Sequence, residues 1–188
     1  MLRKVAIGIV ISIMFYGCEE DSYFVDATTK AEASKFVDDL MIGLREGTLD
    51  VMRCPNVQWL HIPALFEYAK STETVGDDPN NGSAKPLPFN PLSSFLLFQC
   101  SEGMFALWMV EAARLHTLNP ELEGFLGWPS NHPIIGRVDK EGHSIQYIND
   151  DQVQEEILAI YTSWWNSAKG RKSSAKIDPL EGTGYRWL

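Results

Sequence analysis

Ser101-Glu102-Gly103-Met104-Phe105-Ala106-Leu107-Trp108-Met109-Val110-Glu111-Ala112-Ala113-Arg114-Leu115 is the stretch that decides the fold. From 104 to 110 the chain is apolar on every side, so a helix here must be buried all round. Asn119-Pro120 ends it. A helix without a polar face needs neighbours to cover it, and two other segments have the right pattern. Ala33, Phe36, Val37, Leu40, Met41 and Leu44 recur at i, i+3, i+4 spacing and mark one helical face. Thr29-Lys30-Ala31-Glu32 reads as a capping box at its start, and Gly47 as its stop. Val153, Ile157, Ile160, Tyr161 and Trp164 mark a third core face, widened by Leu158 and Trp165. Asp150 or Asp151 caps that helix, and Gly170 closes it. The expectation is a mainly α single domain with three principal helices, the central one (101–115) clasped by 29–46 and 151–167.

The remaining segments are shorter. Pro63 opens a short helix that carries Leu65, Phe66 and Tyr68. Residues 134–138 and 144–148 flank Asp139-Lys140-Glu141-Gly142, which predicts a small β-hairpin over 134–148. Residues 71–92, with four prolines, form a long loop, and 120–133 form another around Trp128-Pro129 and His132-Pro133. Residues 171–188 read as a polar tail ending in Tyr185-Arg186-Trp187.

The N-terminus sets an expected location. Arg3-Lys4, a short apolar run and Phe15-Tyr16-Gly17-Cys18 form a secretory leader, too short to span a bilayer, which takes ~20 residues. Gly17-Cys18 looks like a lipobox. Residues 1–17 are therefore read as a signal peptide, Cys18 as the lipid attachment point, 18–28 as a tether and 29–188 as the domain. Glu19-Glu20-Asp21 resembles an export tag for the cell surface or is a solvated linker. The expected place is the outer membrane, on its periplasmic face or the cell surface.

Charge narrows the partners. The chain has 16 basic and 25 acidic residues, net −9, and loses Arg3 and Lys4 with the leader. That balance argues against nucleic acid, and against anionic lipid surfaces, so membrane contact would rest on the lipid at Cys18. Cys54 and Cys100 are either a disulfide, as an oxidising compartment allows, or two separate buried thiols.

Ile62-Pro63-Ala64-Leu65-Phe66-Glu67-Tyr68, Asn90-Pro91-Leu92-Ser93-Ser94, the 103–111 string and Trp164-Trp165 together resemble an uncharacterised family of Bacteroidetes lipoproteins defined only as a domain of unknown function. The resemblance runs from about Thr29 onward. It implies export and one compact domain, and it carries over no activity and no catalytic residues.

Chemistry-bearing residues are few. Glu111 lies on the Met104, Trp108, Leu115 stripe, where burial would raise its pKa and suit it to acid–base work, or where it pairs with Arg114, Arg45 or Arg53. Glu67 has the same ambiguity. His61, His116, His132 and His143 lack metal-ligand spacing, so no metal or cofactor is expected. Asp77-Asp78-Pro79-Asn80-Asn81-Gly82 fails the calcium-loop pattern at Pro79 and Pro88. Ser93 and Ser94 lack a nucleophile elbow. Trp59, Trp128, Trp164, Trp165 and Trp187 could offer ring faces to a sugar or pack the core. Trp128 and Trp165 are the candidates for exposure. The leading reading is a non-enzymatic module binding an envelope protein or glycan. A structural subunit of an envelope complex comes next, then a hydrolase using Glu111 or Glu67.

Overall fold

The computed structural model describes residues 26–50, 53–76, 87, 99–122, 124–139, 143–148, 150–168 and 170–188. The leader, Cys18, most of the tether, the 77–82 string, Ser93 and Ser94 lie outside the described residues. The protein is a mainly α single domain, as the apolar patterning predicts. The central helix, α3 (Glu102–Leu118), is buried at every position from Glu102 to Arg114. The Ser101 hydroxyl caps it by accepting from the Met104 N–H at 3.0 Å. Two more N-terminal donors are satisfied by backbone, Glu102 N–H on the Glu73 carbonyl and Gly103 N–H on that of Ser71. A two-residue antiparallel pair, β1 (Thr74–Val75) with β2 (Cys100–Ser101), holds this entry in place.

The first helix, α1 (Ala27–Glu46), begins two residues before the expected capping box. Asp26 is the cap: its carboxylate accepts from the N–H of Thr28 and Thr29 and from the Thr29 hydroxyl. The Thr29 hydroxyl is thereby spent, and a carboxylate is the stronger acceptor for the helix N-terminus. Gly47, at φ 64°, ends α1 as expected. The short α2 (Ile62–Tyr68) carries Pro63 in its first turn and follows a 3-10 turn at Trp59–His61. In that turn His61 Nδ1 accepts from the Gln58 N–H, and its ring stacks on Phe36 at 4.3 Å.

Burial lowers the His61 pKa to about 4. A neutral imidazole in the fold and a cationic one in the unfolded chain mean that the unfolded state binds more protons between about pH 4 and 6.5. Stability therefore falls as pH drops through that window, by on the order of 2 kcal/mol after allowance for solvent screening. Urea midpoints measured from pH 7 to 4 should show this slope, and His61→Phe should flatten it.

The last principal helix, α4 (Asp151–Ala168), is capped by Asp150, which accepts from the Val153 N–H at 2.8 Å. Val153, Ile157, Tyr161 and Trp164 face the core. So does Gln154, which the apolar pattern does not anticipate. Its amide donates to the Ala69 and Ser71 carbonyls, and its oxygen accepts from the Ser101 hydroxyl. One side chain thus ties α4 to the end of α2 and the start of α3.

The predicted hairpin is present as β3 (Ile135–Val138) and β4 (Ser144–Ile148). A third strand, β5 (Tyr185–Trp187), pairs antiparallel along the other edge of β3, giving the order β4-β3-β5. The final residues are thus structural, not a polar tail. Leu188 extends the pairing: its carbonyl accepts from the His132 N–H and its N–H donates to Ile134.

Trp128 corrects the expectation of exposure. It is 5% exposed and stacks on Trp108 with centroids 4.7 Å apart. The loop folds inward because α3 has a face that no helix covers. Trp108 Nε1 donates to the Ser130 hydroxyl, which donates to the His132 carbonyl, pinning the loop over that face.

Candidate functional site

Glu111 and Arg114 stand one helical turn apart on α3 and point the same way, toward α4 and the C-terminal segment. The guanidinium donates twice to the carboxylate, at 2.9 and 2.5 Å, and once to the Ala175 carbonyl at 2.8 Å. The Tyr161 hydroxyl, from α4, donates to the same carboxylate at 2.8 Å, and Trp187 Nε1, from β5, donates to that hydroxyl at 2.9 Å. Four side chains from three elements therefore form one hydrogen-bonded relay. Burial pushes the Glu111 carboxyl above its ordinary range despite Arg114 and Tyr161, and nearby Asp178 adds to the push. Burial likewise drives the Tyr161 hydroxyl well up, so it stays protonated and donates.

Above this relay lies an open cleft of about 870 Å³, bordered by Glu111, Asp178, Glu181, Tyr185, Arg186 and Trp187. Trp187 and Tyr185 are half-buried, whereas Asp178, Glu181 and Arg186 are exposed. The Tyr185 hydroxyl donates to Glu156 on α4, and the Arg137 guanidinium lies 5.9 Å from the Tyr185 ring centroid.

The other expected site residues are not drawn into this cleft. Glu67 is exposed and paired with Lys70 at 2.9 Å, a solvated pair on α2. Trp165 is half-buried in a cluster with Trp59 at 5.2 Å and Phe66 at 6.3 Å between centroids, which is core packing. Trp128 is buried, and among the described residues of its loop Leu126 is an exposed apolar side chain. The sequence offers Trp187 only as one of several indoles, and the short alternating Tyr-Arg-Trp string is the signal that can place it on a strand.

Cys54 and Cys100 are separate buried thiols, not a disulfide. Burial pushes the Cys54 thiol up to about 12 and that of Cys100 higher still, so neither is a nucleophile at neutral pH. In protein lacking Cys18, thiol reagent should label them only on unfolding, and reductant should leave the melting temperature unchanged. Cys54 borders a second cleft, of about 830 Å³, with Trp59 and His116. His116 Nδ1 lies 2.9 Å from the Val57 carbonyl. Among the described residues no group of three or more His, Cys, Asp or Glu could hold a metal, and no helix is long and apolar enough to cross a membrane.

Fold and site together define a class: a mainly helical single domain in which a buried carboxylate–guanidinium pair backs an aromatic-lined cleft. The chain belongs to the family described as a domain of unknown function (DUF4943), whose pattern matches residues 27–188. No curated protein and no solved structure matches it.

Proposed function

We propose that the chain is an exported, lipid-anchored cell-envelope protein that binds a protein or glycan partner without transforming it. Residues 1–17 are the leader, Cys18 takes the lipid, and the following residues tether the domain to the outer membrane, on its periplasmic face or the cell surface. The Bacteroidetes lipoprotein resemblance supports the location. One observation carries the binding reading: both oxygens of Glu111, the carboxylate best placed for acid–base work, are occupied by Arg114 and Tyr161, while the cleft above them is open. A hydrolase needs a carboxyl free to exchange a proton with substrate. Here that carboxylate instead fixes the position of an indole.

The test is metabolic labelling with a palmitate analogue, envelope fractionation and affinity purification, comparing the native chain with Cys18→Ala. Label and membrane association should be lost in the variant, and the native chain should bring down a protein or glycan. Label retained by Cys18→Ala would sink the anchoring. Hydrolysis of an envelope glycan or peptide abolished by Glu111→Gln would sink the non-enzymatic reading.

A further inference from the structure

We infer that the cleft beside β5 takes a neutral oligosaccharide, with Trp187 as the stacking platform. This rests on the binding-module reading and names the ligand of that site. A concavity of about 870 Å³ suits a small ligand rather than a flat protein face. The indole on its wall is held by more than packing. Its Nε1 is committed to Tyr161, Tyr161 to Glu111, and Glu111 to Arg114. Turning the ring would break the Nε1 bond to the buried Tyr161 hydroxyl, whose own position is fixed by its bond to Glu111. The polar edge is thus locked inward, and the ring meets a ligand in one preset orientation, which lowers the ordering cost of binding.

Tyr185 stands two residues before Trp187 on the same strand, so the two side chains leave it on one side, from backbone positions about 7 Å apart. That is a row rather than a cage. A row suits the flat C–H faces of successive sugar rings, whereas an ammonium group favours rings closing around it. Asp178 and Glu181 supply acceptors for sugar hydroxyls. Asp178 already takes the Leu180 N–H through Oδ1. The acidic surroundings disfavour phosphorylated or uronic ligands. On the rim, Gly182 and Gly184 have positive φ, 74° and 80°, and nothing lies within 4 Å of where a Cβ would stand. Bare backbone is left there for close approach.

The experiment is isothermal titration of the purified full-length protein with cello-, xylo-, manno-, malto- and chitohexaose, and with oligogalacturonate and a lysine-rich peptide as charged comparators. At least one neutral hexasaccharide should bind, about tenfold more weakly to Trp187→Ala and several-fold more weakly to Tyr161→Phe and Asp178→Asn. Asp178 is exposed, so Asp178→Asn keeps the test decisive if the other variants fold poorly. No binding by any of the five, or equal binding by Asp178→Asn, overturns the inference. So does binding of the lysine peptide alone, or capture of a protein partner lost on Trp187→Ala with no sugar bound. Those last two results leave the binding-module reading standing, whereas its own failure shows in the Cys18→Ala and Glu111→Gln comparisons.

Discussion

Replacing Gly103 with alanine should destabilise the protein by ~3 kcal/mol or more, at the upper end for overpacking a core. A Cβ at this position would lie 2.1 Å from Gln154 Nε2, 2.5 Å from the Ser71 carbonyl oxygen and 2.6 Å from that of Ala69. Two of these three neighbours are backbone and cannot swing aside. The third is the amide that joins α4 to both carbonyls, so moving it breaks two hydrogen bonds at once. Gly103 also donates its own N–H to Ser71, so the first turn of α3 cannot back away without losing that bond. Urea unfolding of Gly103→Ala is the measurement. Adding Gln154→Ala should recover only part of the loss, because the carbonyl clashes remain. A midpoint within ~0.5 kcal/mol of the native protein, the range typical of surface changes, would show that α3 does not dock here.

Arg114→Leu should cost ~3–5 kcal/mol, the penalty for removing one partner of a buried pair. Three donors vanish: two from the Glu111 carboxylate and one from the Ala175 carbonyl. What remains is a buried charge held only by Tyr161. Burial already raises the Glu111 carboxyl, and loss of the guanidinium raises it further. A carboxyl whose folded pKa is raised contributes stability at low pH that disappears as pH climbs through the folded value. The Arg114→Leu defect should therefore be smaller in acid than at pH 7, and denaturation at the two pH values reads this directly. The double variant Glu111→Gln/Arg114→Met should lose less than Arg114→Leu alone, since no charge is stranded. A deficit independent of pH, or additive losses, would mean that the pair is not sealed.

The three long helices are legible because 3.6-residue periodicity survives translation into structure wherever one face meets a core; their packing is not, since among the α-helices α3 lies closest to the short α2 and then α4, and α1 does not clasp it as expected. The all-apolar 104–110 run marked the central helix for the same reason. Local competition was harder to see: Asp26 and Thr29 both have N-cap chemistry, and only geometry decides between them. Proline and serine around Trp128 signal a loop, which is correct, but a loop signal does not fix whether the indole is exposed. The bare face of α3 that draws it inward is a tertiary fact. The Glu111–Arg114 pair was readable from its spacing of three. Tyr161 and Trp187 were not readable as its partners, since no local rule joins residues from three separate elements. Gln154 was hidden similarly, a polar side chain whose partners lie far away in sequence.

The third strand bears on how the molecule comes together in time. β3 and β4 are close in sequence and can zip as soon as both exist. β5 lies beyond α4 and the 3-10 turn at Lys172–Lys176, so its pairing with β3 carries the entropic cost of closing a much longer loop. Before that pairing forms, Tyr161 has no indole donor. A molecule with its helices formed and β5 unpaired would carry an open seam along β3, and Tyr185–Trp187 are the latch that shuts it.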